Sequence, residues 1–193
     1  GVDSDKGDND FTPFRNLFND FYARDTSRKI RAILTAKANA GEHMGKQPYG
    51  YLRDKDNPKQ WVVDEDAAEV VKKIFALCMD GKGPMQIARI LQKEKVLTIN
   101  SYYAKCAGKP LPDNPYLWDA NAVSKILARF EYCGHTVNFK TYSKSNKLKK
   151  RYENTPENRR IFRNTHEAII DEKLFERVQE LRASKRRPAK QAE

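Results

Sequence analysis

The sequence has few cysteines, and they do not form the pairs that build a metal site. Cys78, Cys106 and Cys133 are widely spaced, and no Cys-x-x-Cys pair occurs. The three histidines add no ligand pattern around them. We therefore predict free thiols, no metal and no cofactor, and interpret Cys133-Gly134-His135 as a packed neighbourhood.

Long apolar runs are also missing. No stretch reaches membrane-spanning length, and no signal peptide precedes the first charges, which predicts a soluble, cytoplasmic chain without a membrane partner. The glycine-rich turn at Gly81-Lys82-Gly83 lacks the spacing of a Walker phosphate-binding loop, so we interpret it as a helix stop.

Acidic residues are fewer than basic residues. The 193 residues carry 37 Lys and Arg against 26 Asp and Glu, a formal net charge of +11. Such a balance favours a polyanionic partner, although charge alone does not separate DNA from RNA or from an acidic membrane. The length suits one domain with an appendage, or two small domains.

A long helix is predicted from Thr12-Pro13 to about Asn39, with Thr12 as its N-cap. Its first half carries an apolar stripe at helical spacing, made by Phe14, Leu17, Phe18 and Phe21. Its second half carries cations instead, and acidic residues become scarce after Asp25. Because a mixed, salt-bridged face would need acidic partners, phosphate contact is favoured over a merely solvated face.

Five sequence blocks occur in a specific order along the chain: Phe21-Tyr22-Ala23-Arg24 with Ser27-Arg28-Lys29-Ile30-Arg31, Gly45 with Pro48-Tyr49-Gly50-Tyr51, Gly81 to Leu91, Trp118 to Arg129, and Thr165-His166-Glu167-Ala168-Ile169-Ile170. Together these blocks resemble the large serine recombinases, the serine integrases and transposases. The resemblance implies an α+β, predominantly helical fold. A long N-terminal helix would lead into a helix-turn-helix or winged-helix-like domain with a small antiparallel sheet.

The resemblance also implies a domain organisation. Residues 1–40 would hold the tail of a catalytic domain and the linker helix, 41–187 the DNA-binding recombinase domain, and 188–193 a linker toward a zinc ribbon that lies beyond the chain. No catalytic residue is expected here. The parent enzyme would cut DNA through a phosphoserine intermediate, exchange strands and rejoin them.

Periodicity predicts the remaining elements. Helices are expected at Glu65 to Met79 with Asp64 as cap, at Met85 to Glu94, at Trp118 to Arg129 with Asp119 as cap, and from Asp171 to about Ser184. Short strands are expected at Trp61 to Asp64, Gly134 to Thr141, Arg160 to Arg163 and Ala168 to Ile170, with an irregular loop from Val96 to Tyr116.

Two further segments are candidates for contact with DNA. The Trp118 to Arg129 helix would present polar residues to the major groove, although a plain core helix with a polar exterior remains the alternative. The lysine-rich segment from Lys140 to Arg151 suits a wing that contacts phosphates or a mobile solvated loop. His166 is interpreted as a packed residue with a local hydrogen bond rather than a general base.

The predicted partner is double-stranded DNA, bound at attachment-site or transposon-end half-sites. The predicted contact residues are Arg24, Ser27, Arg28, Arg31, Lys37, Lys46, Tyr49, Asn121, Ser124, Lys125, Arg129, Lys140, Tyr142, Lys144, Lys147, Lys149, Lys150 and Arg151. The resemblance implies a parent that is dimeric on each site and tetrameric in synapsis, whereas this chain would be monomeric. A helix-turn-helix transcription regulator without a catalytic parent is the alternative.

Overall fold

The computed structural model describes residues 11–143 and 150–184. The fold is α+β and predominantly helical, as predicted, and the described residues form two compact units. The helix unit takes its residues from Gly1–Met44 and Asn138–Arg160, and the core unit takes its residues from Gly45–Val137 and Ile161–Glu193. The predicted tail before residue 11, Lys144, Lys147, Lys149 and the linker after 184 lie outside the described residues.

The helix unit is built around α1 (Thr12–Asn39), 28 residues long, whose one buried residue is Ala38. Phe11 occupies the N-cap position instead of Thr12 and makes no side-chain cap bond, while Pro13 lies in the first turn. Near the other end, the buried Asn138 amide donates to the carbonyl oxygens of Ala38 and Glu42, both at 3.0 Å. These two bonds hold the C-terminal turn of α1.

A short antiparallel hairpin completes the helix unit. Strands β4 (Thr141–Tyr142) and β5 (Tyr152–Glu153) pair with Thr141 opposite Glu153 and Tyr142 opposite Tyr152. The sequence predicts one continuous strand from Gly134 to Thr141, but the structure has two strands there, β3 (Thr136–Asn138) and β4. The break lies at Phe139, where φ is positive. The predicted wing is therefore a hairpin whose arms are β4 and β5.

The core unit contains the other five helices of the described chain: α2 (Glu65–Met79), α3 (Pro84–Lys93), α4 (Ile99–Cys106), α5 (Ala120–Leu127) and α6 (Glu172–Ser184). Helix α5 packs against α2, α3 and α6. The fully buried side chains at the centre are Tyr51, Val71, Ile74, Phe75, Ile87, Leu91, Val123, Leu127, Tyr132 and Val178.

Two further strand pairs flank these helices. Strand β1 (Tyr51–Arg53) pairs antiparallel with β2 (Trp61–Val63), and β3 pairs with β6 (Arg160–Phe162). The predicted strand at Ala168 to Ile170 is wrong: the segment is an irregular turn in which the amides of Ile169 and Ile170 both donate to the Tyr132 carbonyl. One carbonyl satisfies both amides, so the segment needs no partner strand.

The predicted loop from Val96 to Tyr116 contains a helix, so that prediction is wrong over residues 99–106. Helix α4 begins after Thr98, whose hydroxyl accepts a hydrogen bond from the Ser101 amide at 3.4 Å. Tyr102 on α4 donates its hydroxyl proton to the Asp64 carboxylate at 2.7 Å. Asp64 lies in the N-cap position of α2 as predicted but makes no cap bond, because its carboxylate serves α4 instead.

Gly134 occupies a position that a side chain would disrupt. Its φ of +83° lies in the left-handed region, and a Cβ atom there would approach the His166 carbonyl oxygen to 2.7 Å. The close approach lets the Gly134 carbonyl accept a hydrogen bond from the Thr165 amide at 2.9 Å. The turn after Tyr132 thus joins the segment that precedes α6.

Candidate nucleic-acid interface

Helix α5 exposes the polar face that the sequence predicts. Val123, Ile126 and Leu127 are buried, whereas Asn121 and Lys125, four residues apart, are exposed on one face. The helix is shorter than predicted: it spans Ala120–Leu127, so Trp118 lies before it and Arg129 lies after it. Residue Asp119 has the N-cap position but makes no side-chain cap bond.

The C-terminal end of α5 is held by two side chains from α6. The Gln179 amide donates to the Leu127 carbonyl at 2.7 Å. The Arg182 guanidinium donates to the Ser124 carbonyl at 3.3 Å and to its hydroxyl oxygen at 3.1 Å. Because these carbonyls lie in the last turn of α5, where partial negative charge accumulates, a cation is favourable there. Ser124 is therefore engaged inside the protein.

This α6 contribution was missed by sequence reasoning. Arg182 also donates to the Gln179 side-chain oxygen at 2.9 Å, so the two residues form one bonded pair. Burial lowers the pKa of Arg182, but the group stays protonated at neutral pH. Basic residues in the last turn of a helix are common, and the sequence gives no sign that this one contacts α5.

The cations of α1 lie on an exposed helix. Arg24, Arg28 and Arg31 are spaced by four and three residues and so share one face. Arg24 pairs with Asp20 at 2.8 Å and Lys29 with Asp25 at 2.8 Å. Within the described residues, Arg28 and Arg31 form no ion pair. The charge of Arg28 helps to lower the pKa of Asp25, so the predicted shortage of acidic partners applies to Arg31 but not to Arg24 or Arg28. Of the other predicted contacts on this helix, Ser27 is half-buried and Lys37 is exposed in the last turn.

The hairpin arms bring aromatic and basic groups together. The Tyr142 and Tyr152 rings lie 5.7 Å apart between centroids, and the Lys150 ammonium lies 5.4 Å from the Tyr152 ring centroid. Lys150 and Arg151 are exposed, and Lys140 is half-buried. The predicted wing therefore begins and ends in the paired strands β4 and β5.

Tyr49 is predicted from the sequence to contact DNA, but the structure buries its side chain. Tyr49 is 5% exposed and packs edge-on against the rings of Tyr102 and Tyr103. Burial raises its pKa, so its hydroxyl stays protonated. Tyr49 belongs to the core, while its neighbour Lys46 is exposed. The aromatic character of the Gln47 to Tyr51 turn therefore reflects packing.

His166 has the structural role that the sequence predicts. Its Nε2 lies 2.8 Å from the Glu131 carbonyl oxygen and its Nδ1 lies 3.0 Å from the Thr165 hydroxyl. Since a carbonyl can only accept, Nε2 carries the proton and Nδ1 accepts from Thr165. Burial lowers the pKa of His166. Both ring nitrogens are used, which leaves neither for acid–base work.

Among the residues that the structure describes, no cluster of His, Cys, Asp and Glu could hold a metal ion. None of the described helices is long and apolar enough to cross a membrane.

Two solved chains have partial similarity to this chain. A chain from the crystal structure of an LSR–DNA complex is 17% identical with a TM-score of 0.45, over 81% of this chain and 42% of that one. A chain from a structure on the sequence requirements of the Listeria innocua prophage attP site is 20% identical with a TM-score of 0.38, over 83% of this chain and 51% of that one. This chain thus spans about half the length of these solved chains or less.

No match was found among curated proteins. The family model described as Recombinase matches residues 65–185, which include α2 to α6 and more than half of the chain. That match confirms the resemblance over the three sequence blocks that lie within it, Gly81 to Leu91, Trp118 to Arg129 and Thr165 to Ile170. The chain belongs to the recombinase family.

Proposed function

We propose that this chain is the DNA-binding part of a large serine recombinase and positions the enzyme on half-sites of its recombination targets. The observation that carries the proposal is the Recombinase match over 65–185, since the same residues fold into a helical core that exposes Asn121 and Lys125 on α5. Site-specific strand exchange would then belong to the parent enzyme. The proposed division places the tail of a catalytic domain and the linker helix at 1–40, the DNA-binding domain at 41–187 and a further linker at 188–193.

Helix α5 is the proposed reading helix. It has a buried face that fixes it to the core and an opposite face with an amide and an ammonium group. A helix held this way can enter a major groove with its polar face toward the base edges. Asn can bind adenine through two hydrogen bonds, and Lys can bind guanine. Ser124 is the weaker candidate because Arg182 already occupies its oxygen.

Helix α1 and the β4–β5 hairpin are proposed to contact phosphates. Arg28 and Arg31 form no ion pair within the described residues, although the charge of Arg28 helps to lower the pKa of Asp25. The Arg24–Asp20 pair is exposed and therefore weak. On the hairpin, Lys150 and Arg151 are exposed beside two tyrosine rings. Such contacts set orientation and affinity without reading sequence.

The test is footprinting of the purified chain on the two ends of the mobile element that encodes it. We expect protection of one half-site at each end, at protein concentrations that leave random flanking DNA unprotected. Protection of a single site beside a promoter, with both ends unprotected, would favour the transcription regulator instead. Equal protection of all DNA would contradict sequence-specific positioning.

A further inference from the structure

A cavity of about 610 Å³ opens in the core unit between α4 and α5. The first turn of α4, the segment 47–49 and the face of α5 that carries Ala122 and Ile126 form its walls. Pro48, Ile99 and Leu117 supply apolar surface, while Asn100 and Asn114 supply amide groups. A volume of this size with mixed lining is typical of a ligand pocket.

Two cations lie in this lining. Lys125 is exposed, and Arg129 is half-buried at the end of α5. Within the described residues, the Arg129 guanidinium makes no hydrogen bond and no ion pair. Asp119 is the one carboxylate of the lining, and neither cation forms an ion pair with it, so the balance of charge is positive. A half-buried guanidinium normally finds an acceptor, because its donors lose water on burial.

The aromatic groups in the lining do not neutralise Arg129. Burial raises the pKa of Tyr103, and the charge of Arg129 acts only partly against that shift. Burial likewise raises the pKa of Tyr132, whose hydroxyl donates to the Tyr49 carbonyl at 2.9 Å. Both phenols are therefore protonated and neutral. An anion entering the cavity would supply the missing acceptor.

We propose that this cavity seats one phosphodiester group of the DNA backbone with its deoxyribose. Arg129 and Lys125 contact the phosphate, and the apolar walls contact the sugar carbons. The inference rests on the proposed function and changes the role of two residues. Arg129 and Lys125 become anchors that set the register of α5 on DNA, which leaves Asn121 as its reading residue.

The two tryptophans make occupancy of the cavity measurable. Trp118 lines it and donates its indole proton to the Val96 carbonyl at 3.0 Å, whereas Trp61 packs elsewhere in the core, against Tyr51. The experiment follows both indole N–H signals by NMR while random-sequence duplex DNA is added at low salt. Inorganic phosphate is titrated in parallel. Binding is then measured at several salt concentrations for wild type, Arg129→Gln, Arg129→Lys and the control Arg177→Gln, which alters an exposed α6 residue outside the cavity.

We expect the Trp118 signal to move with DNA while the Trp61 signal stays in place. Arg129→Gln should abolish the movement and reduce the slope of log K against log salt by about 0.9. Arg129→Lys and Arg177→Gln should keep the Trp118 movement, and Arg129→Gln should keep the wild-type melting temperature because its side chain has no partner to lose.

Three results would overturn the inference. An unchanged slope and an unchanged Trp118 response in Arg129→Gln would show that the cavity is not used by DNA. Movement of Trp118 with inorganic phosphate but not with duplex would assign the site to a free anion. Equal movement of Trp118 as protein concentration rises, with neither DNA nor phosphate added, would assign the signal to self-association instead of occupancy. If the chain bound no duplex at any salt concentration, the proposed function itself would fail.

Discussion

At the scale of single residues, His166 joins several parts of the core unit. Its ring lies 4.9 Å from Tyr51 and 5.0 Å from Trp61, measured between centroids, while its nitrogens bond to Glu131 and Thr165. The neutral ring satisfies both partners. A second proton on Nδ1 would reverse the bond with Thr165, because Nδ1 could then only donate to the hydroxyl oxygen.

The lowered pKa of His166 predicts how stability depends on pH. Because burial lowers the folded pKa below the ordinary value of 6.5, the unfolded chain takes up a proton first as pH falls. The free energy of unfolding should therefore be highest above pH about 6.5 and should decline as pH falls through that value, until the folded pKa is reached. Urea unfolding of wild type at intervals from about pH 7.5 to 5.5 measures this decline.

His166→Gln is the matched comparison, since glutamine cannot titrate. Its stability should be lower but should vary less over this pH range. The Glu172 pKa is lowered by the hydrogen bond from Arg163, and a carboxylate of that kind loses its contribution only as pH falls below its ordinary value of 4.5. Equal pH dependence in wild type and variant would contradict the assignment.

Asp64 shows what a single residue's sequence context can and cannot reveal. An acidic residue before Glu65 and Asp66 predicts the start of α2, and the helix does begin there. The carboxylate's actual partner, the Tyr102 hydroxyl, is 38 positions away in the sequence. Local pattern carries no information about that contact, which depends on where the core places α4.

At the scale of elements, α6 holds α5 through Arg182 and Gln179. Replacing Arg182 by methionine keeps the apolar stem but removes the donors to Ser124. We expect the free energy of unfolding to fall by about 1.5–3 kcal/mol, the range for hydrogen bonds to charged groups. Chemical denaturation provides the measurement.

Arg177→Met is the control on the same helix, because among the described residues Arg177 pairs with exposed Glu180 alone. A surface pair of this kind contributes roughly 0–1 kcal/mol, so this variant should stay close to wild type. If both variants lost equal stability, the hydrogen bonds between α6 and α5 would have no special part in holding α5.

Helices α1 and α5 should respond differently to mutation. Arg28→Ala and Arg31→Ala should weaken binding to all DNA alike and reduce the salt slope by about 0.9 for each lost phosphate contact. Asn121→Ala should cost roughly 1–3 kcal/mol on the cognate half-site and much less on scrambled DNA. Titration of both DNAs at several salt concentrations separates the two effects. Equal losses in Asn121→Ala would remove α5 as the reading helix.

Helices could be predicted from the sequence where the apolar residues recur at helical spacing over many positions. Helix α2 matches its predicted bounds, and α6 begins one residue after Asp171, whose carboxylate accepts from the Lys173 amide at 3.0 Å. Helix α4 was missed because its eight residues lie beside a proline-rich segment. The Thr98–Ser101 spacing was the one local signal for its start. The cavity beside it was unpredictable, since its walls come from separate segments.

At the scale of the whole molecule, the exposed apolar stripe of α1 predicts weak self-association. Phe14, Leu17, Phe18 and Phe21 are each between 54% and 72% exposed. Such a stripe favours burial against another copy, but a single narrow stripe offers too little area for a stable complex. We expect a monomer in dilute solution that associates as concentration rises.

Sedimentation velocity over a concentration series tests this prediction. Phe18→Glu should abolish the association, because a charge would be buried in the contact. Val62→Glu, on the exposed position of β2, is the control and should associate as wild type does. A stable tetramer of wild type without DNA would contradict the prediction.

Because Asn138 is hydrogen-bonded to the C-terminal end of α1, we expect the protection of backbone amides from hydrogen exchange to vary along the helix. Near Ala38 the backbone is buried and its carbonyls are bonded, whereas from Phe14 to Leu34 the helix is supported mainly by its own turns and two exposed ion pairs. Helices without tertiary support open frequently. Amide hydrogens should therefore exchange with deuterium fastest near Phe14 and slowest near Ala38, so that the helix frays from one end only.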